Sequence, residues 1–186
     1  MIRPHPPMPG ENVAKRRLEE MIRVDHAGEY GAVQIYRGQR AVFSRIEGKS
    51  HAARLIAEME AGEQEHLKTF DRLIAERSVR PTLMAPVWRV AGFGLGAVTA
   101  LLGEQAAYAC TEAVEEVIEE HYGHQGEELD GVDTELKYVV DKFRAEEIAH
   151  KETAIDQGAR NAPGYPVLSA VIKFGCRAAI RISEKI

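Results

Sequence analysis

Cysteine is nearly absent from this chain: only Cys110 and Cys176 occur among 186 residues, and no CxxC arrangement joins them. The pair therefore reads as buried free thiols in a reducing compartment, and there is no ligand set for a rubredoxin-like iron. Basic runs are absent too. With 24 Lys and Arg against 29 Asp and Glu, the net charge is −5, and no cationic stretch would neutralise a row of phosphates, which argues against nucleic acid. The Pro-rich segment 1–10 lacks the charged-then-apolar pattern of a secretory signal, so secretion is not expected and a flexible terminus is. Alternating apolar and polar residues are missing throughout, so nothing recommends strands.

What is present is helical. Hydrophobic residues make up 45% and charged residues 28% of the chain, a globular composition at a length that suits one domain, here 11–186. Glu greatly outnumbers Asp, as expected where helix interiors dominate. A first helix is predicted over about 11–45, with Gly28 and Gly31 in its middle. Each costs roughly 1 kcal/mol against Ala there, so another backbone or a ligand is expected to come close. Gly48 to Ser50 make a turn, with Ser50 able to cap a second helix over about 50–76. Pro81 and Pro86 punctuate its exit. A third helix follows to about Gln125, ending in Gly123 and Gly126. A polar loop leads to a fourth over about 134–159, and Pro163, Gly164 and Pro166 precede a last one over about 167–184.

Two stretches differ from ordinary bundle helices. Between Pro81 and Gly103 the sole charge is Arg89, among Trp88, Phe93, Leu95 and other apolar residues. The length approaches the roughly 20 residues that span a bilayer, but the prolines, the glycines and Arg89 weigh against a span. In the last helix Val167, Leu168, Val171, Ile172 and Cys176 oppose Lys173, Arg177, Arg181 and Lys185, the pattern of a helix lying in a membrane surface. Segments 81–103 and 167–184 are thus expected to associate with a membrane, with completion of the core as the plainer alternative.

Two segments share one form: Glu63-x-x-His66 and Glu147-x-x-His150. On a helix, positions i and i+3 sit one turn apart on the same side, so both side chains reach one point. Glutamate supplies oxygens able to bridge two metals, and neutral imidazole supplies nitrogen. Glu is common enough that either pair alone reads as an exposed helical contact. Spacing changes that. A ferritin-like four-helix bundle with a di-metal site places one Glu on each of two helices and Glu-x-x-His on each of the other two. Glu29 precedes Glu63 by 34 residues and Glu115 precedes Glu147 by 32, as two matched helical hairpins would give. Four carboxylates among apolar residues would repel unless cations neutralised them, and two divalent metals carry four positive charges. Glu116 competes with Glu115, since only one of two neighbours can point inward, and apolar residues three and four away favour Glu115 slightly. Glu60, one turn before Glu63, could accept a hydrogen bond behind the ligands or be a solvated charge, and the solvated charge is expected.

Several segments, in order along nearly the whole chain, resemble the demethoxyubiquinone hydroxylases. They are RVDHAGEYG at 23–31, Glu63-x-x-His66-Leu67, the Arg80-Pro81-Thr82 to Gly96 apolar stretch, Ala109-Cys110-Thr111 with Val114-Glu115-Glu116, Phe143-Arg144 with Glu147-x-x-His150, and Gly175-Cys176-Arg177 with Ser183-Glu184. The resemblance implies an all-α, ferritin-like di-iron monooxygenase of ubiquinone biosynthesis that hydroxylates the ring of demethoxyubiquinol with O2. NADH or reduced quinol would supply the electrons. It places the ligand on Glu115 rather than Glu116, makes Glu63 and Glu147 the bridges between two irons, and suggests His121 and Tyr122 as an electron relay, with a polar helix C-terminus as the plainer alternative for the last two. It further implies a polyprenyl quinone substrate and peripheral attachment to the cytoplasmic face of a bacterial inner membrane or the matrix face of the mitochondrial one. A homo-oligomer and a lipid-binding accessory protein are implied as partners. The rivals are a soluble ferritin-like di-metal oxidase or ferroxidase and a non-catalytic metal-binding membrane helical protein.

Overall fold

The computed structural model describes residues 11–186; the terminus at 1–10, expected to be flexible, lies outside the described residues. Six helices follow one another: α1 (Glu11–Phe43), α2 (Ser50–Glu76), α3 (Ala85–Leu101), α4 (Glu104–Glu128), α5 (Thr134–Asp156) and α6 (Tyr165–Lys185), with a 3₁₀ turn at Ala159–Asn161. No strand occurs among the described residues.

The long third helix expected to reach Gln125 is two helices. Gly103 adopts φ 120° and ψ 169°, a conformation open essentially to glycine, and the chain turns there from α3 into α4. Conversely, Gly123 and Gly126 do not end α4. They let α5 come close: a Cβ on Gly123 would stand 3.3 Å from the Arg144 guanidinium, and one on Gly126 2.7 Å from Asp141 Oδ1. Ser50 does not cap α2, whose N-cap is Lys49 without a side-chain hydrogen bond.

α1 packs against α2, and α4 against α5, as two hairpins that face each other; α3 lies along α1, and α6 against α4 and α1. One apolar cluster gathers Tyr36, Phe43, Ile56, Met59 and Tyr108. A second gathers Met21, Ile22, Phe70, Leu73, Tyr122, Leu136, Val140 and Phe143. Each such side chain contributes roughly 1.5–3 kcal/mol on leaving water, which offsets the polar groups held between the clusters.

Another backbone does come close at Gly31, that of α3, but neither Gly28 nor Gly31 is what makes room for it. A Cβ on either would meet nothing within 4 Å. Instead, Gly92 and Gly96 on α3 face α1, four residues apart and so on one side of the helix. A Cβ on Gly92 would stand 2.9 Å from the Gly31 carbonyl oxygen, one on Gly96 would run into the Ile35 carbonyl, and one on Gly38 into that of Phe93.

α3 and α6 are joined by a hydrogen bond from Trp88 Nε1 to Ser183 Oγ, 2.9 Å. Phe93, Val90, Val98 and Leu101 of α3 are exposed, as are Val167, Val171 and Phe174 of α6. Trp88 and Leu95 are half-buried, Leu95 against the cluster of Ile35, Val114 and Ile172. The amphipathic pattern of α6 is therefore divided. Leu168, Ile172 and Cys176 complete the core, while Lys173 and Arg177 pair with Glu116 and Glu120 of α4 at 2.6 and 2.8 Å. No described helix is long and apolar enough to cross a membrane. Both cysteines are free, and Cys110 is buried.

The start of α5 offers a stability test. Asp133 accepts a hydrogen bond from the Leu136 N–H at 3.0 Å and pairs with Arg77 at the end of α2. Burial pushes its carboxyl up, but Arg77 and the backbone donors outweigh that and hold it below the usual range. Asp133→Ala should cost about 1–2 kcal/mol, a fall in Tm of roughly 3–6 °C at this size. The contribution is present above the unfolded carboxyl pKa of about 3.9 and lost as pH falls through the depressed folded value. Melting curves of the two proteins should therefore converge in acid, and a gap independent of pH would contradict the pairing.

Candidate metal centre

The six residues singled out by spacing come from four helices and meet in one place. α1 contributes Glu29, α2 Glu63 and His66, α4 Glu115, and α5 Glu147 and His150. Their ligand atoms form two groups, Glu29–Glu63–His66–Glu147 and Glu63–Glu115–Glu147–His150, each with all atoms within 4.8 Å of one another. Glu63 and Glu147 belong to both. Helical i, i+3 geometry brings each Glu-x-x-His pair together locally, and the two hairpins bring the pairs face to face: His66 Nδ1 lies 3.0 Å from Glu147 Oε1, and His150 Nδ1 lies 2.9 Å from Glu63 Oε1. The partners thus cross between α2 and α5. Gly62 leaves room for this, since a Cβ there would stand 3.3 Å from the His150 ring.

Glu115 points inward and is fully buried, whereas Glu116 pairs with Lys173 at the surface. Glu60 is not the solvated charge expected. It is 3% exposed and bonded to Arg40 Nε at 2.6 Å, Arg37 Nε at 3.3 Å and Gln64 at 3.0 Å. Two arginines of α1 neutralise it, at a distance from Glu60 in sequence that a helical pattern does not reveal.

Tyr122 is buried and donates its hydroxyl to Glu29 Oε1. His121 Nε2 lies 3.2 Å from Asp25 Oδ1, which also accepts from Gln125 Nε2 at 2.8 Å. On the other side Tyr36 donates to Glu115 Oε1 at 2.5 Å. Asp25, Gln125 and Tyr36 were not picked out from the sequence. Their positions at i−4 and i+7 of Glu29 (Asp25, Tyr36) were a usable signal, as residues on the face of α1 that carries the carboxylate.

Four carboxylates here have at most 1% exposure. Ionised together, they would be costly. Burial pushes the Glu29 and Glu115 carboxyls well above the usual range, and the other carboxylates push Glu115 further. Burial also raises Glu63, but the imidazoles of His150 and His66 close beside it outweigh that and hold the group at about 2. Burial lowers the imidazoles, but the carboxylates gathered around them overcome it, raising His66 strongly and His150 to about 9. Protons thus take the place of cations when the six groups stand alone. Even so, Glu29 Oε2, Glu115 Oε2, both oxygens of Glu63 and of Glu147, and Nδ1 of both histidines lack hydrogen-bond partners. Buried polar atoms are rarely left so. They all face a common centre, and oxygen donors with one imidazole on each side suit a pair of divalent transition metals. The residues fit such a centre.

This is an all-helical chain with a buried carboxylate and histidine cluster between two helical hairpins. Its residues 16–183 match the family model of the ubiquinone biosynthesis protein COQ7, and the chain belongs to that family. It is similar to the 3-demethoxyubiquinol 3-hydroxylase of Rhodospirillum rubrum, 48% identical over 179 residues that cover 96% of this chain and 83% of the relative. The mitochondrial NADPH-dependent 3-demethoxyubiquinone 3-hydroxylase of Homo sapiens is 45% identical over 180 residues, 95% of this chain and 81% of its own length. The mitochondrial 5-demethoxyubiquinone hydroxylase of Saccharomyces cerevisiae is 38% identical over 184 residues, 91% and 78% of the two chains.

Proposed function

We propose that the chain is an O2-dependent monooxygenase that hydroxylates the ring of demethoxyubiquinol in ubiquinone biosynthesis, using two iron ions. The observation that carries this is the pair of overlapping ligand groups that share Glu63 and Glu147, in a chain whose relatives are named as demethoxyubiquinol and demethoxyubiquinone hydroxylases. Glu29, Glu63 and His66 would hold one ion and Glu115, Glu147 and His150 the other, with Glu63 and Glu147 bridging. When bound, the ions supply the redox chemistry that activates O2.

The chain's own residues supply order and exclusion. Tyr122 and Tyr36 each fix one terminal carboxylate by a hydrogen bond, which limits its rotation. Phe143, stacked on His66, and Phe70 beside it are buried and keep the surroundings apolar, so bulk water would be kept from the centre. His121 and Tyr122 are neighbours, with ring centroids 6.2 Å apart. Tyr122 touches Glu29, and His121 is partly open to solvent, an arrangement that suits a relay between the quinone and the metals. The electrons would come from a nicotinamide, as the human relative's name has for that enzyme, or from reduced quinol.

A polyprenyl quinone dissolves in the bilayer, so a peripheral membrane site follows. The exposed apolar residues of α3 and α6 are the surface offered for it, on the cytoplasmic side of a bacterial inner membrane or the matrix side of a mitochondrial one. Homo-oligomers and a lipid-binding accessory protein belong to the same proposal.

The test is iron-reconstituted protein with a short-chain demethoxyquinone, NADH and O2. Hydroxylated quinone should form, with O2 uptake dependent on the quinone and binding to liposomes in parallel. Iron(II) oxidation without quinone-dependent O2 uptake would instead identify a ferroxidase, and failure to bind liposomes would favour a soluble oxidase.

A further inference from the structure

Glu146 lies outside the six residues of the centre, yet its Oε2 stands 2.6 Å from Nε2 of His66. Consecutive residues of α5 therefore hold both nitrogens of one ring. Glu147 Oε1 lies 3.0 Å from Nδ1 on the inner side, and Glu146 reaches round to Nε2 on the outer side. Phe143, one turn earlier on α5, stacks on the ring with centroids 3.9 Å apart and planes 25° from parallel. Lys142 Nζ lies 3.6 Å from the other Glu146 oxygen and 5.5 Å over the Phe143 ring. The His66 ring is fixed in plane and in rotation from one helix.

This geometry has a chemical consequence. A neutral imidazole carries one N–H, and a carboxylate accepting at Nε2 places the proton there and leaves the Nδ1 lone pair free for a metal. The partner also makes Nδ1 a better donor. His150 is held differently. Among the described residues its carboxylate partners are Glu63 and Glu147, both at Nδ1, and its side chain is 17% exposed against 2% for His66. The two Glu-x-x-His pairs match in sequence, but only one has a carboxylate behind the ring.

We propose that Glu146 is a positioning residue for His66, and that it makes the two metal positions unequal, with the Glu29–His66 position the tighter. This rests on the di-metal reading above. The test is titration of the metal-free protein with Co(II), followed by visible absorption. The unsubstituted chain should take up two equivalents, the first more tightly. Glu146→Ala should weaken that first equivalent by about 10–100-fold and the second by less than about threefold. Glu146→Gln keeps an oxygen that accepts from Nε2–H and should restore most of the loss. In a His66→Ala background, Glu146→Ala should have no further effect. A zinc-loaded sample gives a second readout, because the His66 Nε2–H proton resonance should move upfield in Glu146→Ala. Glu146 is half-exposed on a helix surface, and circular dichroism checks that the variants fold. Superimposable isotherms for Glu146→Ala and the unsubstituted chain, or equal weakening of both equivalents, would overturn the role of Glu146. Failure of the unsubstituted chain to bind two Co(II) would overturn the di-metal reading itself.

Discussion

Glu147→Ala should yield a folded helical chain that holds neither metal and does not hydroxylate quinone. Glu147 is one of two residues common to both ligand groups. Its carboxylate lies 3.0 Å from His66 Nδ1 and 3.5 Å from His150 Nδ1, so one truncation removes an oxygen donor from each position. The charge balance fails as well, because three carboxylates no longer match two divalent cations. Metal content should fall from about two ions per chain to well under one, and turnover by at least about 10³-fold, equivalent to roughly 4 kcal/mol of lost transition-state stabilisation. Glu29→Ala is the useful contrast. Glu29 belongs to one group only, so about one ion should remain while activity is lost, since the proposed redox chemistry uses both. Elemental analysis and product formation on the same samples decide the matter. Two ions bound, or undiminished turnover, in Glu147→Ala would remove the centre from these residues.

The centre was legible in the sequence because its determinants are local and repeated. Two Glu-x-x-His turns and two single glutamates at matched spacing specify which helix faces converge, and the helical period does the rest. The Glu115 and Glu116 choice was harder. Apolar neighbours tilted it only slightly, and what keeps Glu116 outside is Lys173 on α6, a residue 57 positions away. Glu60 shows the same limit. Its burial depends on Arg37 and Arg40 from a different helix, and a buried charge with such partners looks in sequence like any solvated one. The break at Gly103 escaped notice because apolar residues lie on its N-terminal side and helix formers on the other. The backbone angle that ends α3 leaves no trace in periodicity. Glu146 was hidden for a further reason: in a chain so rich in glutamate, nothing marks the one that reaches a histidine from outside.

The glycines give the sharpest separation between what composition suggests and what packing requires. Gly28→Ala and Gly96→Ala are the same substitution at helix interiors, and helix propensity alone makes both stabilising by up to roughly 1 kcal/mol. Opposite outcomes are expected. At Gly28 the new methyl meets nothing within 4 Å, so stability should rise by about 0.4–1 kcal/mol. At Gly96 it runs into the Ile35 carbonyl, which is backbone of α1 and has no alternative rotamer. α3 must then move away from α1, and the Gly92 contact with the Gly31 carbonyl, one turn away, opens with it. Overpacking of this kind costs about 1–3 kcal/mol, occasionally more, and overcomes the gain in propensity. Tm of Gly96→Ala should fall by roughly 4–12 °C while that of Gly28→Ala rises by about 1–4 °C. The loss should be local at first. Hydrogen exchange should speed up in α3 before the four helices that carry the ligands, since α3 stands outside that set. Equal Tm for the two variants would mean that the helices are not held at this distance by the glycines. Uniform acceleration of exchange across α1, α2, α4 and α5 would mean that α3 and the ligand-bearing helices open as one unit, with the clamp between α1 and α3 supporting the metal centre directly.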